Sequence, residues 1–458
     1  MSRRSQTSFS NDIEAQIHAL LINNDTKKLR AYLAKQHPAN IADVMDRLND
    51  MQRDTLFALL STETKAEVLD EMSITATRHV LDRLPPEEIG KLLDRMPMDE
   101  AAELISEDVP DRQDEILALM SPKRAAEVRK LLQYPPQSAG HLMTDKFIQL
   151  KRDMTADEAL AHIRKMNKNV ETVTDLYVVD ADGRLAGVLS LRDLVIASPE
   201  QRVDKLMNPQ LVSVIPETDQ EEVARLVSLY DFLAIPVVSE EGVLLGVIPV
   251  DDVIDILVSE STEDILRFGG IEGGIAIDQP YFTVPLPTVI RKRIGWLLLL
   301  FVAETLTGIV LRSFEDELTQ VVALSFFIPL LIGTGGNTGA QTVSTLIRGL
   351  ALGEVKVGDI WRVILRELIS GALIGILLGV IGFGRALLWG SEMQLAITVG
   401  LTVLAICTWA NTIGAFIPLL AHRFRIDPAV VSAPLITTLV DATGLAIYLT
   451  IAKVVLGL

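Results

Sequence analysis

The chain has 458 residues, a formal net charge of −18 and a hydrophobic share of 49%, with Cys407 as its only cysteine. The length suggests about three domains. A lone cysteine excludes an internal disulfide and points to a reducing interior, and the acidity argues against nucleic acid and for cations as partners.

The charge is unevenly spread. Residues 1–265 hold 48 acidic and 29 basic side chains, and 266–458 hold 12 and 13. An acidic soluble half therefore precedes an apolar half. The N-terminal stretch MSRRSQTSFS is followed by no apolar core, so no cleaved signal peptide is expected. No nucleophile–base pair, HExxH or cysteine cluster suggests an enzyme.

Residues 1–135 read as short amphipathic helices. IADVMDRL, TRHVLDRL, EIGKLLDRM and EAAELI recur, several introduced by LPPEE or MPMDE. Proline at a helix start and acids in its first turn are start signals. Stacked short helices make a superhelical solenoid, and most of their acids are expected to be simply solvated.

An internal repeat follows. One copy starts at Leu142 and the other at Leu206. Each reads as a strand, an amphipathic helix, two strands around a turn (DADG, SEEG) and a closing helix. The pattern resembles a tandem pair of CBS domains, at 136–204 and 205–258. Such pairs often bind adenine nucleotides, so ATP or another adenine nucleotide is an implied ligand. The ribose pattern S/T-x-x-D is met by Ser190 and Asp193. In the second copy Pro249 stands where the hydroxyl should precede Asp252, so at most one competent nucleotide site is implied.

Val250 to Phe268 reads as one helix crowded with Asp251, Asp252, Asp255, Glu260, Glu263 and Asp264. Like charges at i,i+4 destabilise a helix, so bound cations would help to hold it.

Five apolar runs long enough to cross a bilayer lie near 293–312, 319–346, 364–387, 394–421 and 429–455. Arg291, Lys292 and Arg293 precede the first. Arg348, Lys356 and Arg362 lie between the second and third, and His422, Arg423 and Arg425 between the fourth and fifth. The loops SFEDELTQ and GSEMQ are acid-rich. The basic side is cytoplasmic, which puts the N-terminal domains inside and the C-terminus outside. Lys453 is expected to snorkel. Gly371, Gly375 and Gly379 give the third span a groove for close helix packing.

Asp441 stands about mid-span in the fifth run, where an acid facing lipid costs roughly 2.5–3.5 kcal/mol. Thr437, Thr438 and Gly444 share its helical face. In the second run, IPLLIGTGGNTGAQTVSTL, Gly335, Gly336 and Gly339 let backbone approach a partner or a solvated ion. Pro329 and the glycines are expected to weaken the helix and expose carbonyls, which is tolerated only against protein or water. Asn337, Thr338 and Gln341 offer neutral oxygens. Neither phosphate-loop pattern is met. A carboxylate with neutral oxygens suits a hard cation, and Mg²⁺ gives up water reluctantly, so a pore would hold it partly hydrated. Glu304 in the first span reads as a proton-coupling acid, as a snorkelling side chain or, preferably, as paired with a neighbouring span. Asn411 reads as a helix–helix hydrogen bond.

At these residues the chain resembles the MgtE magnesium transporters. PLLIGTGGNTGAQTVSTLIRGLA and DPAVVSAPLITTLVDATGL look like that family's two signature segments. The resemblance implies a homodimer with five membrane helices per subunit and an ion pathway lined by the second and fifth. The implied pathway residues are Asp441, Gly336, Asn337, Ala340, Ser344, Asp427, Ala433, Thr437 and Gly444. Some members carry asparagine where this chain has Ala340 and Ala433, which leaves fewer amide oxygens near the pore. Val250 to Phe268 corresponds to the family's plug helix, whose acids bind regulatory Mg²⁺. The matching positions are Asp219, Glu221, Asp231, Asp252, Asp255 and Glu260, with Asp99, Glu100 and Glu103 in the helical domain.

The expected architecture is multidomain: an all-α superhelical domain (1–135), tandem α/β CBS domains, a plug and linker (259–290) and an all-α five-helix transmembrane domain (291–458). The expected function is Mg²⁺ uptake by a homodimeric channel of the bacterial inner membrane, surrounded by lipid and closed by internal Mg²⁺. One alternative is a proton- or sodium-coupled divalent cation exporter or exchanger using Glu304. Another is a CBS-regulated anion channel, which Asp441 argues against.

Overall fold

A computed structural model describes residues 3–23, 25–107, 110–166, 170, 172–271, 284–351, 353–424 and 426–458. Arg425 and residues 272–283 of the expected linker lie outside that set. The chain divides into two compact units, one drawn from Met1–Glu260 and the other from Ser261–Gly274 with Pro285–Leu458.

The first unit begins with ten helices: α1 (Arg3–Ile22), α2 (Thr26–Leu33), α3 (Pro38–Arg47), α4 (Asp50–Leu59), α5 (Thr62–Asp70), α6 (Ile74–Leu81), α7 (Pro86–Leu93), α8 (Met98–Glu107), α9 (Gln113–Leu119) and α10 (Pro122–Leu131). Frequent start signals keep them short. Asp25, Asn49 and Ser61 accept from the backbone of the first turn, and α3, α7 and α10 carry proline at their first positions. One latch recurs. Asp46, near the end of α3, accepts from Ser73 N and Oγ just before α6. Asp94, just after α7, accepts from Ser121 N and Oγ before α10. Both pairs span 27 residues, so each aspartate ties its layer to a later one.

The CBS copies follow α11 (Ala139–Leu142). The first holds β1 (Ile148–Lys151), α12 (Ala156–Lys165), β2 (Asp175–Val179), β3 (Leu185–Ser190) and α13 (Leu191–Ile196). β2 pairs parallel with β1 and antiparallel with β3. After α14 (Val203–Leu206), the second copy holds α15 (Gln220–Tyr230), β4 (Ala234–Val238), β5 (Leu244–Pro249) and α16 (Val250–Phe268). Its expected first strand is reduced to one parallel bridge, Val214 to Val237. Pro216 stands two residues on and lacks the donor that would extend the pairing. The turns DADG and SEEG close on Gly183 and Gly242 at φ +78° and +83°, a conformation open to glycine. Leu29, Met45 and Ile89 of the solenoid share one buried cluster with Val223, Ile235 and Ile256 of the second copy.

α16 is a single helix of 19 residues that crosses the boundary expected at 258–259. No glycine or proline interrupts it.

The second unit contains α17 (Leu286–Ser313), α18 (Glu315–Gln320), α19 (Ile328–Ala351), α20 (Ile360–Leu388), α21 (Met393–Arg423) and α22 (Ala433–Leu456). All but α18 are long and apolar enough to cross a membrane. The acid-rich loop after the first span is thus a short helix. The fifth span starts at Ala433, later than expected, because Ser432 caps it and Pro434 sits in its first turn. Lys453 does more than snorkel: its ammonium pairs with Glu317 of α18. α20 packs most closely on α21. A Cβ on Gly371, Gly375 or Gly379 would come within 2.7–2.8 Å of backbone oxygens of Cys407, Leu404 and Gly400. The glycine groove is where α21 lies.

Candidate functional site

The glycines of α19 serve the first of the two tasks expected of them, close approach to a partner. α19 is a continuous helix with no break at Gly333 to Gly339. A Cβ on Gly335 would meet Ile406 at 2.6 Å and Val440 at 2.9 Å. One on Gly336 would meet Thr437 at 2.8 Å and Asp441 Oδ1 at 3.5 Å, and one on Gly339 would meet Ile436 at 3.0 Å. Glycine here removes side-chain bulk so that α21 and α22 can close on α19. The expected weakened helix with exposed carbonyls is not formed.

The polar residues of α19 face elsewhere. Asn337, Gln341 and Ser344 are exposed, at the i, i+4, i+7 spacing of one helix face, with Ala340 half-buried beside them. Asp441 borders this face across Gly336. It is half-buried, and its Oδ1 is enclosed with no hydrogen-bond partner. One turn earlier on α22, Thr437 returns its hydroxyl to Ala433 O at 3.0 Å. Gly444 is directed at Ile406 of α21. An acid and three polar side chains are thus gathered at membrane depth, where such groups must meet water, ions or protein.

Asp427, before α22, pairs with Arg267 on the last turn of α16. Phe268 packs against the buried cluster that includes Val431, Ile436 and Val440. Asn411 of α21 donates to Glu367 Oε2 of α20 at 3.3 Å, the helix–helix bond expected of it.

In the first unit Asp219 caps the start of α15 by accepting from Glu221 N at 2.9 Å. Asp231 caps its end at φ +53°. A helix of 11 residues separates them by about 16 Å, too far to share one ion within a protomer. Glu260 of α16 accepts at 2.6 Å from Nε2 of Gln220, the residue between Asp219 and Glu221 in the chain. Asp252 and Asp255 lie near the start of α16. Partial desolvation and then Asp70 hold the Glu71 carboxyl above its usual range, and Asp255 adds to the shift. Glu100 and Glu103 of α8 line a cavity of about 80 Å³ with Asp70. Burial first, then Asp70, Glu103 and Asp99, push the Glu100 carboxyl up strongly. Among the described residues no three carboxylate, imidazole or thiol groups form a ready metal cluster. Mg²⁺ usually keeps several waters and takes one or two carboxylates, so these sparse acid sets fit a hydrated ion.

In the first CBS copy, Ser190 caps α13 by accepting from Arg192 N at 3.1 Å, and Asp193 is exposed one turn on.

A family model described as a divalent cation transporter matches residues 328–451. One for the MgtE intracellular N domain matches 36–137, and the CBS domain model matches 139–200 and 203–259. The magnesium transporter MgtE of Thermus thermophilus is 39% identical over 447 residues, 97% of this chain and 98% of that protein. The chain belongs to the MgtE family. The MgtE of Bacillus subtilis is 37% identical over 325 residues, 71% of each chain. A crystal structure of the cytosolic domain of the Mg²⁺ channel MgtE in complex with ATP is 38% identical, with a TM-score of 0.51, and covers 53% of this chain and 99% of its own. MgtE proteins are transporters, so this chain is not an enzyme.

Three acids of this MgtE chain escaped the sequence reading. Asp70 and Glu71 looked like two more solvated acids in a solenoid full of them. Glu367 has arginine beside it and reads as part of the basic end of its span. Only the pairing of α20 with α21 reveals its contact with Asn411.

Proposed function

We propose that the chain is a Mg²⁺-selective channel for Mg²⁺ uptake across the bacterial inner membrane, closed by internal Mg²⁺. The carrying observation is the exposed Asn337–Gln341–Ser344 face of α19, with Asp441 and its unpartnered oxygen beside it. Such a face at membrane depth needs a water-filled passage. A second copy of the chain would enclose it, with α19 and α22 of each subunit lining the path. The hydrated ion is attracted by Asp441 and met by neutral oxygens of Asn337, Gln341, Ser344 and Thr437, with Ala340 and Ala433 leaving room for its waters.

Closure follows from the acids of the first unit. At low internal Mg²⁺, Asp255 and Glu71 repel each other, as do Asp219, Glu221 and Glu260. Bound Mg²⁺ removes the repulsion and favours the arrangement in which α16 holds the pathway shut. The shift is limited to the difference in Mg²⁺ affinity between the two arrangements. The N-terminal domains lie in the cytoplasm and the C-terminus outside, as the basic loops require. Ser190 and Asp193 would hold the ribose of ATP or a related adenine nucleotide, in keeping with the ATP complex of the similar cytosolic domain.

Recording from the purified protein in bilayers under opposed ion gradients tests the reading. A current reversing at the Mg²⁺ potential supports a channel. A reversal that follows the proton or sodium gradient instead supports a coupled exporter or exchanger.

A further inference from the structure

Glu304 has no role in the pathway described so far. It lies mid-way along α17, in a span of mean hydropathy 2.1, and its side chain is exposed in the protomer. The main neighbour of α17 is α22. Trp296 Nε1 on α17 donates to Ser432 Oγ, the cap of α22, at 3.1 Å. That bond sets the register of two helices running the same way. Glu304 follows Trp296 by eight residues and Asp441 follows Ser432 by nine. At 1.5 Å per residue the rises are about 12 and about 13.5 Å. The two acids therefore stand at one depth. Further along, Val310 and Leu311 of α17 pack on a buried cluster that includes Leu445 and Tyr448 of α22.

One further observation agrees. Thr307, three residues after Glu304 and on the same face, is 7% exposed, and its Oγ1 has no hydrogen-bond partner. Among the described residues Glu304 has neither a hydrogen bond nor an ion pair. The pairing expected of it with a neighbouring span is absent. What the structure gives instead is a second acid at the depth of the first, on the helix that packs against α22. Two carboxylates at one depth suit a divalent cation that keeps most of its water.

We infer that Glu304 is a second carboxylate of the ion pathway and that it and Asp441 together hold the permeating hydrated divalent cation. The inference rests on the pathway proposed above. A monovalent ion would leave one of the two charges uncompensated, so the pair would favour divalent over monovalent cations.

The test uses full-length protein in liposomes with Glu304→Gln, Glu304→Asp and Asp441→Asn. Glu304→Gln should raise the Mg²⁺ concentration for half-maximal flux about tenfold, as expected for a weakened ion contact, with thermal unfolding unchanged. Glu304→Asp should recover most of that loss, which a purely structural role would not require. In a Cys407→Ala background, Glu304→Cys should react with a water-soluble cationic thiol reagent, and Mg²⁺ should slow the reaction. An unchanged half-saturation in Glu304→Gln, or labelling indifferent to Mg²⁺, overturns the role of Glu304 when Asp441→Asn has lost flux. Normal flux in Asp441→Asn overturns the pathway itself. If Glu304→Gln unfolds, the labelling of the cysteine variant decides.

Discussion

Arg267, on the last turn of α16, is held by Asp427, 160 residues away in the chain and just ahead of α22. The same guanidinium also pairs with Glu263 one turn back. The end of the acidic helix is thereby fastened to the segment that leads into the fifth span. Both partners are about a third exposed, so the pair contributes on the order of 1 kcal/mol or less. Arg267→Gln should therefore leave the protein folded and raise amide hydrogen exchange in 261–268. Unchanged exchange there would show that Phe268 and its apolar contacts suffice.

Asp441→Ala should abolish Mg²⁺ flux and leave the protein folded, because on the proposed pathway the acid supplies the attractive charge at mid-membrane. Asp441→Asn keeps the shape and should still lose most flux. Uptake in a cell lacking other Mg²⁺ systems measures both. Normal growth of either variant on low Mg²⁺ would remove Asp441 from the pathway.

The acids of α16 and α15 either solvate the surface or sense the ion. If they sense it, millimolar-range Mg²⁺ should protect the first unit of the wild type from protease, and Asp252→Ala with Asp255→Ala should remove the protection. Transport should then persist at high internal Mg²⁺, the opposite of the effect at Asp441. A double variant that stays shut with unchanged protection would show that α16 is not the sensor.

Glu100 makes a prediction about pH. Its carboxyl is pushed up on folding by burial, then by Asp70, Glu103 and Asp99. The folded chain thus keeps a proton that the unfolded chain releases above about pH 4.3. With respect to this group, stability is greatest below that pH and falls as pH rises towards the folded value. Glu100→Gln removes the loss. Without Mg²⁺ it should raise the melting temperature at pH 7.5, and by less at pH 5.5. An equal gain at both values would mean that the carboxyl titrates normally.

Gly375→Ala tests the seam between α20 and α21. Its Cβ would sit 2.8 Å from Leu404 Cα and O, atoms of a backbone that cannot rotate aside. Overpacking of this kind costs about 1–3 kcal/mol. Thermal unfolding in detergent should show the loss, and Gly384→Ala, with nothing within 4 Å, should not.

The sequence made the long periodic features visible. The five spans, the solenoid and the isolated acid at 441 follow from hydropathy and helical spacing. The Asn337–Gln341–Ser344 face was present in the same spacing. Glycine was the ambiguous signal: a closely packed helix face and a broken helix have the same composition, and only the neighbours of Gly335, Gly336 and Gly339 separate them. Pairs such as Arg267 with Asp427, or Lys453 with Glu317 at 136 residues, join segments whose meeting depends on the tertiary fold. Glu304 belongs with these, since its place at the depth of Asp441 is set by the bond from Trp296 to Ser432.

The uninterrupted course of α16 has a mechanical consequence. A helix of 19 residues is a shaft of about 28 Å. With no glycine or proline along it, it lacks a flexure of its own. The first joint is Gly269–Gly270, where Gly270 takes φ +71° and a Cβ would strike the Trp296 ring at 2.4 Å. Trp296 also holds the cap of α22. Trp296 therefore joins the end of the shaft to the bond that keeps the first and fifth spans in step.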